Sequence, residues 1–216
     1  MINNLAYESL NRLDTWQRMR SITLGEMSGV KLMNRVDTKY VLSYDEVLRL
    51  INAAADNDYY VQIIDGVRAC RYSTLYYDTP DLEMFTVHHN RKLTRQKIRT
   101  RTYVESGITF IEVKNKTNRG RTKKRRTVID REVFLDFRAS AQACEYMEQH
   151  SAYPLQDLLP SLITRFERIT LVNHAHTERL TIDFNVRFEN LRTGQNLSPG
   201  VERMVIVELK QDGMCY

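Results

Sequence analysis

Charged side chains recur at every second position in several segments of this chain. Because side chains on a β-strand alternate between its two faces, residues two apart share a face. The spacing occurs in the rows Arg35, Asp37 and Lys39; Lys97, Arg99 and Arg101; Glu112, Lys114 and Lys116; Lys124 and Arg126; Arg179, Asp183 and Arg187, with Thr181 and Asn185 between them; and Glu208 and Lys210. The intervening positions are often apolar, so the sequence predicts strands with one charged face and one face that packs on a core.

The predicted strands fall into groups that helices separate. They are residues 34–42, 61–64, 69–78, 93–105, 108–117, 122–131, 162–172, 179–188 and 204–209. Turn signals at Ser106-Gly107 and at residues 118–120 favour antiparallel hairpins. Because helices stand between groups of strands rather than after every strand, the predicted fold class is α+β and not a βαβ array.

Helix signals occur at four places. A loose helical pattern covers residues 5–19, within an N-terminal lead-in at 1–30. Ser43 and Glu46 form a capping box that begins an amphipathic helix. Thr79 as N-cap, with Pro80 in the first turn, predicts a short helix that runs to about His88. The fourth helix is predicted over residues 139–150.

The composition is that of an ordinary globular domain, with 42% hydrophobic and 27% charged residues. The longest uncharged runs, such as residues 169–177, fall far below the roughly 18 residues of a membrane span. The N-terminus lacks the apolar segment of a signal peptide, and three scattered cysteines favour reduced thiols over a disulfide framework. We therefore expect one soluble, cytoplasmic domain over residues 1–216, with no insertion into a membrane.

The charged rows carry an excess of cations. At least eleven Lys and Arg occupy them against four Asp and Glu, in a chain with a net charge of +5 at pH 7. Like charges opposite one another destabilise a sheet, so the excess favours an anionic ligand. If about eight strands close into a barrel, the cations converge on an interior that holds one ligand, which predicts a tunnel for a polyanion. The alternative is a sheet with one solvated face. No nucleic-acid partner is expected, because the basic run at 119–126 comes with no RNA-binding motif.

Three carboxylates stand among these cations. Glu112 and Glu208 each precede a lysine by two residues, and Asp183 lies in the row between Arg179 and Arg187. A hard divalent cation takes one or two carboxylates plus substrate phosphates, so these residues are candidate ligands for Mg²⁺ or Mn²⁺. The alternative is that each carboxylate pairs only with neighbouring cations. We favour metal binding for Glu208 and keep both interpretations open for Glu112 and Asp183.

Five motifs follow one another along the chain. They are Arg35-Val36-Asp37-Thr38-Lys39-Tyr40, Tyr76-Tyr77-Asp78-Thr79-Pro80-Asp81-Leu82, Lys97-Ile98-Arg99-Thr100-Arg101-Thr102-Tyr103, Phe110-Ile111-Glu112-Val113-Lys114 and Val207-Glu208-Leu209-Lys210. In this order they resemble the VTC domain, the polyphosphate polymerase domain of the vacuolar transporter chaperone complex, in its bacterial form. The resemblance covers residues from about 22 to 211.

The resemblance implies a fold, an activity and a set of site residues. The fold is the triphosphate tunnel, an eight-stranded antiparallel β-barrel with flanking helices, and the activity is synthesis of polyphosphate from ATP with Mn²⁺ or Mg²⁺. The implied phosphate-binding residues are Lys39, Lys97, Arg99, Arg101, Lys114, Lys124, Arg126, Arg168, Arg179 and Lys210. Those implied in catalysis are Lys39, Arg99, Arg101, Arg168 and Arg179, together with Glu208 as the metal ligand. The run from Lys123 to Arg126 also permits a register one residue away.

Two features set the chain apart within the wider superfamily. CYTH-type triphosphatases and adenylyl cyclases open with Glu-x-Glu-x-Lys, whereas this chain has Arg35-Val36-Asp37-Thr38-Lys39, which resembles VTC domains. VTC domains also continue past the last Glu-x-Lys strand into a helix with another basic residue, and we expect that helix to be missing because the sequence stops at Tyr216. The alternatives are therefore a triphosphatase, with water as acceptor, or a non-catalytic module that binds polyphosphate or nucleotides. The bacterial relatives also imply a membrane-protein partner that receives the polymer.

Other polar residues are expected to be structural. Tyr76 and Asp78 are predicted to fix the corner between strand and helix. His88 and His89 follow the short helix, and His89 is predicted only to cap it or to form local hydrogen bonds. His174 and His176 are predicted to lie in a turn. None of these residues is expected to contact the substrate.

Overall fold

The structure, a computed structural model, describes residues 7–29, 35–119, 121–197 and 204–212. Its helices are α1 (Tyr7–Asn11), α2 (Tyr44–Asp56), α3 (Glu83–His89) and α4 (Ala141–His150), with short 3-10 helices at Asp14–Arg18, Glu26–Gly29, Arg131–Val133, Phe137–Ala139 and Leu155–Asp157. Its strands are β1 (Ser21–Thr23), β2 (Arg35–Leu42), β3 (Tyr60–Ile63), β4 (Cys70–Asp78), β5 (Arg95–Tyr103), β6 (Ile108–Lys116), β7 (Thr122–Ile129), β8 (Leu159–Val172), β9 (Glu178–Asn190), β10 (Gln195–Leu197) and β11 (Val205–Asp212). None of the helices in these ranges is long and apolar enough to cross a membrane.

The strands follow a hydrogen-bonded path in the order β2-β11-β9-β8-β4-β5-β6-β7, with β1, β3 and β10 paired beside it. The pairs β2-β11, β11-β9, β4-β5, β5-β6 and β6-β7 are antiparallel, whereas β1 pairs parallel with β3. The predicted α+β class, a mostly antiparallel sheet with flanking helices, is confirmed. Closure of eight strands into a barrel is not confirmed, because the described residues include no pairing between β2 and β7.

The N-terminal helix is shorter than its sequence pattern predicts. The predicted span of 5–19 is divided at Leu13, whose extended backbone (φ −59°, ψ 131°) separates α1 from a 3-10 helix. The indole of Trp16 donates to the carbonyl oxygen of Leu10 at 2.8 Å, which satisfies a group at the end of α1. Positions 5, 6 and 34, and the chain end at 213–216 where the family's last helix would follow, lie outside the described residues.

The chain divides into two compact units. The first comprises Met1–Arg71, Phe166–Arg187 and Ser198–Tyr216, and the second comprises Tyr72–Arg165 and Phe188–Leu197. In the first unit, α2 packs Val47 and Ile51 against the apolar face of β9 and β11, where Ile182 and Val207 are buried. The predicted alternation of apolar and charged positions on those two strands thus places one face on a core.

In the second unit, α4 covers one face of the sheet formed by β4 to β7. Its Ala143 and Met147 are fully buried in one cluster with Ile98, Ile111 and Val113. The charged residues between these apolar positions therefore lie on the opposite face of the sheet.

The predicted capping box at the start of α2 is confirmed. The Ser43 hydroxyl accepts from the Glu46 amide at 3.4 Å, and the Glu46 carboxylate accepts from the Ser43 amide at 2.7 Å. Two of the amides that a helix start leaves without partners are satisfied in this way, which fixes the direction of α2 over the core.

The helix α3 begins later than its sequence signal predicts. Glu83 is its first residue, after a turn that follows β4. Asp78, buried at the end of β4, accepts from the amides of Thr79 and Met84 at 2.8 Å each and of Phe85 at 2.9 Å. The Thr79 hydroxyl accepts from the Glu83 amide at 2.9 Å, so Thr79 does cap the first residue of α3 as predicted. Asp78 caps the next two residues, because its two carboxylate oxygens reach amides on both sides of the turn.

The alternation along β9 breaks at Asn185. Its φ is +50°, and its side-chain oxygen accepts from the Tyr44 hydroxyl at 2.8 Å, on the side of the sheet that α2 covers. Beyond it, Arg187 approaches Glu167 at 3.6 Å. The predicted charged row on β9 therefore ends at Asp183, because a left-handed residue inside a strand shifts the faces of the residues that follow, as in a β-bulge.

Replacing Asp78 with Ala is expected to lower the free energy of unfolding by about 1–3 kcal/mol, the cost of leaving buried amides without an acceptor. Urea unfolding followed by circular dichroism measures the change. The control Asp81→Ala removes an exposed carboxylate from the same turn and should change the stability by less than about 0.5 kcal/mol. Equal losses in the two variants would contradict the capping role of Asp78.

Candidate functional site

Eight cations share one face of the sheet in the second unit. The register sets Lys97 opposite Lys114 and Lys114 opposite Lys124, and in the next row it sets Arg126 opposite Glu112. Side chains two apart on a strand share a face, so the register extends this set along each strand. The cations on the shared face are Arg95, Lys97, Arg99, Arg101, Lys114, Lys116, Lys124 and Arg126. Glu112 is the only carboxylate that the described strands β5, β6 and β7 place among them. We call this set of eight residues the cationic face.

The register of β7 decides which cations of the run 123–126 reach the cationic face. Lys124 and Arg126 pair with the charged row of β6, whereas Lys123 lies opposite Asn115 and Arg125 lies opposite the buried Val113. The structure therefore places Lys124 and Arg126, and not their neighbours, with the other cations.

Glu112 is ion-paired through both oxygens of its carboxylate. Its Oε2 accepts from Arg99 Nε at 2.6 Å, and its Oε1 contacts Lys124 Nζ. The side chain is only 1% exposed. Burial acts to raise the pKa of Glu112, but the charges of Arg99 and Lys124 outweigh it and hold that pKa below its ordinary value.

Two residues of β4 that are not among the predicted site residues contact the cations. Arg101 Nε donates to Thr74 Oγ1 at 2.9 Å, and Arg99 Nη1 donates to the Tyr76 hydroxyl at 3.3 Å. Burial acts to raise the pKa of Tyr76, yet Arg99 and Arg101 lower it overall. Tyr76 thus faces the cations, while the corner predicted for it is held by Asp78. The two-residue spacing of Thr74 and Tyr76 is a usable signal only once β4 is known to pair with β5.

The first unit holds a separate group of charged residues on its own sheet. The register sets Lys39 opposite Glu208 and Asp37 opposite Lys210, and it places Lys210 opposite Arg179. Cations and carboxylates therefore stand opposite each other between β2 and β11, whereas Lys210 and Arg179 place two cations side by side between β11 and β9.

Ion pairs hold this second group together. Arg168 donates to Asp183 twice, from Nε to Oδ1 at 2.5 Å and from Nη2 to Oδ2 at 2.6 Å, and Lys210 donates to Glu208 Oε2. Burial acts to raise the pKa of Glu208, but Lys210, followed by Lys39 and Arg168, lowers it overall. Burial also lowers the pKa of Lys210, although Glu208 opposes that shift.

Charge is distributed unequally between the two groups. The cationic face has eight cations and one carboxylate. The group in the first unit has the cations Lys39, Arg168, Arg179 and Lys210 against the carboxylates Asp37, Asp183 and Glu208. Each predicted phosphate-binding residue lies in one of these groups, and the excess of cations over carboxylates is larger in the group of the second unit.

The three candidate metal ligands differ in their contacts. Both oxygens of Asp183 bind Arg168, and both oxygens of Glu112 contact cations, which fits the ion-paired alternative for these two residues. Glu208 is bonded to Lys210 through Oε2. A carboxylate that is hydrogen-bonded through one of its two oxygens fits a metal site in which phosphate oxygens of the substrate supply further ligands. The part of the chain that the structure describes contains no cluster of three or more His, Cys, Asp or Glu that could hold a metal ion.

Two of the histidines weighed in the sequence analysis have hydrogen-bond partners from other elements. His174 lies in the turn between β8 and β9, as predicted, and its Nδ1 bonds the Tyr60 hydroxyl at 2.7 Å. His88, which was expected to be structural, contacts the cationic face, because 3.1 Å separates its Nε2 from Lys97 Nζ.

Comparison with known proteins gives a family and a fold. The model of the VTC domain matches residues 34–214. A candidate adenylate cyclase from Bacillus halodurans shares the fold, with a TM-score of 0.53 and 14% identity over 84% of this chain and 83% of the other. Lower scores of 0.48 are found for a candidate adenylate cyclase from Vibrio parahaemolyticus (14% identity, 84% and 77% covered) and for a candidate adenylyl cyclase from Hippeastrum with a dominant triphosphatase activity (13% identity, 83% and 79% covered). No curated protein matches the chain.

Glu112→Gln is expected to lower the free energy of unfolding, because Arg99 and Lys124 lose their charged partner. Breaking a buried ion pair costs several kcal/mol, and the 38% exposure of the Lys124 side chain reduces the expected loss to about 1–3 kcal/mol at pH 7. Urea unfolding measures this loss. The exposed change Glu132→Gln in the same unit is the control and should be nearly neutral.

The same pair predicts a pH dependence. A folded-state pKa below the ordinary 4.5 means that the stability is fully present above that value and is lost as the pH falls through the folded pKa. Between pH 5 and pH 3 the wild type should therefore lose more stability than Glu112→Gln. Parallel losses in the two proteins would show that Glu112 does not titrate with a lowered pKa.

Proposed function

The chain belongs to the VTC domain family, and we propose from that premise that it transfers the γ-phosphoryl group of ATP to a growing polyphosphate chain. The observation that carries the proposal is the cationic face, where the described strands β5, β6 and β7 place eight Lys and Arg side chains and one carboxylate, Glu112. Like charges that stand opposite one another destabilise a sheet, so a bound anion would stabilise this face. A linear chain of phosphates matches it in sign and in its repeated charge.

Arginine supplies the directed contacts that this proposal needs. Arg99, Arg101 and Arg126 carry planar guanidinium groups that suit paired contacts to phosphate oxygens. Arg101 is only 8% exposed, and its hydrogen bond to Thr74 orients the guanidinium before a ligand binds. Fixed positive charge of this kind stabilises the charge that develops during phosphoryl transfer, because no reorganisation is needed at the moment of reaction.

The mixed charges of the first unit fit a phosphate that is bound together with a metal ion. We propose that Glu208 holds Mn²⁺ or Mg²⁺ jointly with phosphate oxygens of the substrate. A bound divalent ion would neutralise phosphate charge and polarise the transferred group. Lys210 holds one oxygen of Glu208 in place, and Lys39 and Arg168 add positive charge nearby.

The proposed reaction needs no strong base from the protein. A terminal phosphate oxygen of the polymer, already anionic, forms a bond to the γ-phosphorus of ATP. The bond from that phosphorus to the bridging oxygen breaks, and its electron pair leaves with the oxygen on ADP. The protein contributes positioning and electrostatic stabilisation, which are the main contributions in phosphoryl transfer.

ATP and polyphosphate are thus the proposed partners of the site. A closed, eight-stranded tunnel and a membrane protein that receives the polymer stay predictions from the family resemblance. Neither is needed for the assays below, which use the purified chain.

Incubation with ATP and Mn²⁺ is expected to give a polymer that stains as polyphosphate on a gel, and Glu208→Ala is expected to give none. Removal of the metal with a chelator should have the same effect on the wild type. Free phosphate without polymer would overturn the polymerase in favour of a triphosphatase. Neither product, with binding of tripolyphosphate retained, would identify a binding module.

The cationic face is tested with a matched set of arginines. Arg101→Ala and Arg126→Ala are each expected to reduce the rate of polymer formation by about 10²-fold, the usual effect of removing one preorganised charge from a transition state. Arg125→Ala changes the same strand as Arg126 on its opposite face, so it should keep a rate close to that of the wild type. Circular dichroism checks that all three variants are folded. Wild-type rates in Arg101→Ala and Arg126→Ala would contradict the assignment of this face.

A further inference from the structure

A small cavity lies at one end of the cationic face. Its volume is about 210 Å³, and it is lined by His88, Arg95, Lys97, Lys114, Lys116 and Thr122. The helix α3 supplies His88, β5 and β6 supply the four cations, and β7 supplies the hydroxyl group. The cavity is smaller than the roughly 300–1,000 Å³ that drug-sized ligands occupy, so it suits a compact oxyanion better than a nucleoside.

The contact between His88 and Lys97 is the one that a neutral imidazole makes. The Nε2 of His88 lies 3.1 Å from Lys97 Nζ. A lysine ammonium group can only donate, so the facing nitrogen of His88 must accept, which requires a neutral imidazole that carries its proton on Nδ1. His88 therefore lines a cavity with four cations and adds no positive charge to it.

The groups that face His88 account for this state. Partial burial lowers the pKa of His88 first, and the charges of Lys97 and Arg95 on β5, followed by Lys114 and Lys116 on β6, lower it further. Thr122 on β7 is uncharged, and no carboxylate is among the residues that line the cavity. An anion in the cavity would offset the four positive charges, and protonation of His88 would then become favourable.

We propose that this cavity binds a terminal phosphoryl group, and that His88 takes up a proton when the group binds. The identity of the ligand rests on the proposed function, whereas the proton uptake rests on the cavity and its charges. A protonated His88 would turn from accepting a hydrogen bond from Lys97 to donating one to a phosphate oxygen, so that both side chains contact the ligand. Binding of a short phosphate chain should consequently tighten as the pH falls from 7.5 to 5.5.

His89 offers a matched control one residue away. Its ring stacks on Phe85, with centroids 5.8 Å apart and an interplanar angle of 20°, and it does not line the cavity. The substitutions His88→Gln and His89→Gln therefore remove the same chemical group from the same helix, with only the first expected to alter the cavity. The folding of both variants is checked by circular dichroism.

The test follows histidine ring signals by NMR as a function of pH, with and without tripolyphosphate, and measures tripolyphosphate binding by calorimetry at pH 7.5 and pH 5.5. We expect the midpoint for His88 to rise by about one pH unit when the ligand binds. Because one unit corresponds to a factor of about ten in binding, affinity should gain up to about tenfold more over this range in the wild type and in His89→Gln than in His88→Gln. The protonation of tripolyphosphate itself cancels in this comparison.

The outcomes separate this inference from the proposed function. Tripolyphosphate binding with an unchanged His88 midpoint would overturn the inference and leave the proposed function standing. An equal pH dependence in His88→Gln and in the wild type would do the same. Absence of any tripolyphosphate binding would overturn both. A raised midpoint without polymer synthesis in the gel assay would support the subsite and contradict the polymerase.

Discussion

Repulsion among like charges on β5, β6 and β7 is the constraint on which the second unit depends. Eight cations share that face, and two features hold them there. Fully buried Ile98, Ile111 and Val113 pack on the other face, so a slip of one residue would bury cations and expose the core. Glu112 pairs with two of the cations and offsets part of their repulsion. The hydrophobic core and Glu112 therefore keep eight cations on one face, although the repulsion between these cations opposes that arrangement.

The two units use charge in different ways. In the first unit the charges are largely satisfied within the protein, as the double hydrogen bond between Arg168 and Asp183 shows. In the second unit, most of the positive charge on the sheet has no acidic counterpart on the same strands. The first unit can therefore orient a carboxylate with little rearrangement. The second unit gains stability from any polyanion that it binds. A phosphoryl-transfer enzyme needs both properties, since it must grip charged substrates and still place the reacting groups.

Much of this arrangement could be predicted from the sequence, because the two-residue period of a strand is a local property. Lys97, Arg99 and Arg101 could be assigned to one face without knowing any partner strand. Strand pairing is not local, so the contact of Tyr76 with Arg99 could not be anticipated. The left-handed backbone of Asn185 could not be anticipated either, since its hydrogen bond to Tyr44 joins residues that lie far apart in the sequence. Periodicity thus predicts faces, whereas contacts between elements and interruptions of a strand require the fold.

The excess charge of the cationic face also bears on how a substrate arrives. In any medium that contains nucleotides and inorganic phosphate, counterions would gather on such a face and screen it. We therefore expect substrates to reach it by displacing weakly held anions, so that entry is an exchange reaction whose driving force includes the release of several small ions. A longer phosphate chain displaces more of them at once, and this favours the polymer over its monomers before any specific contact is made.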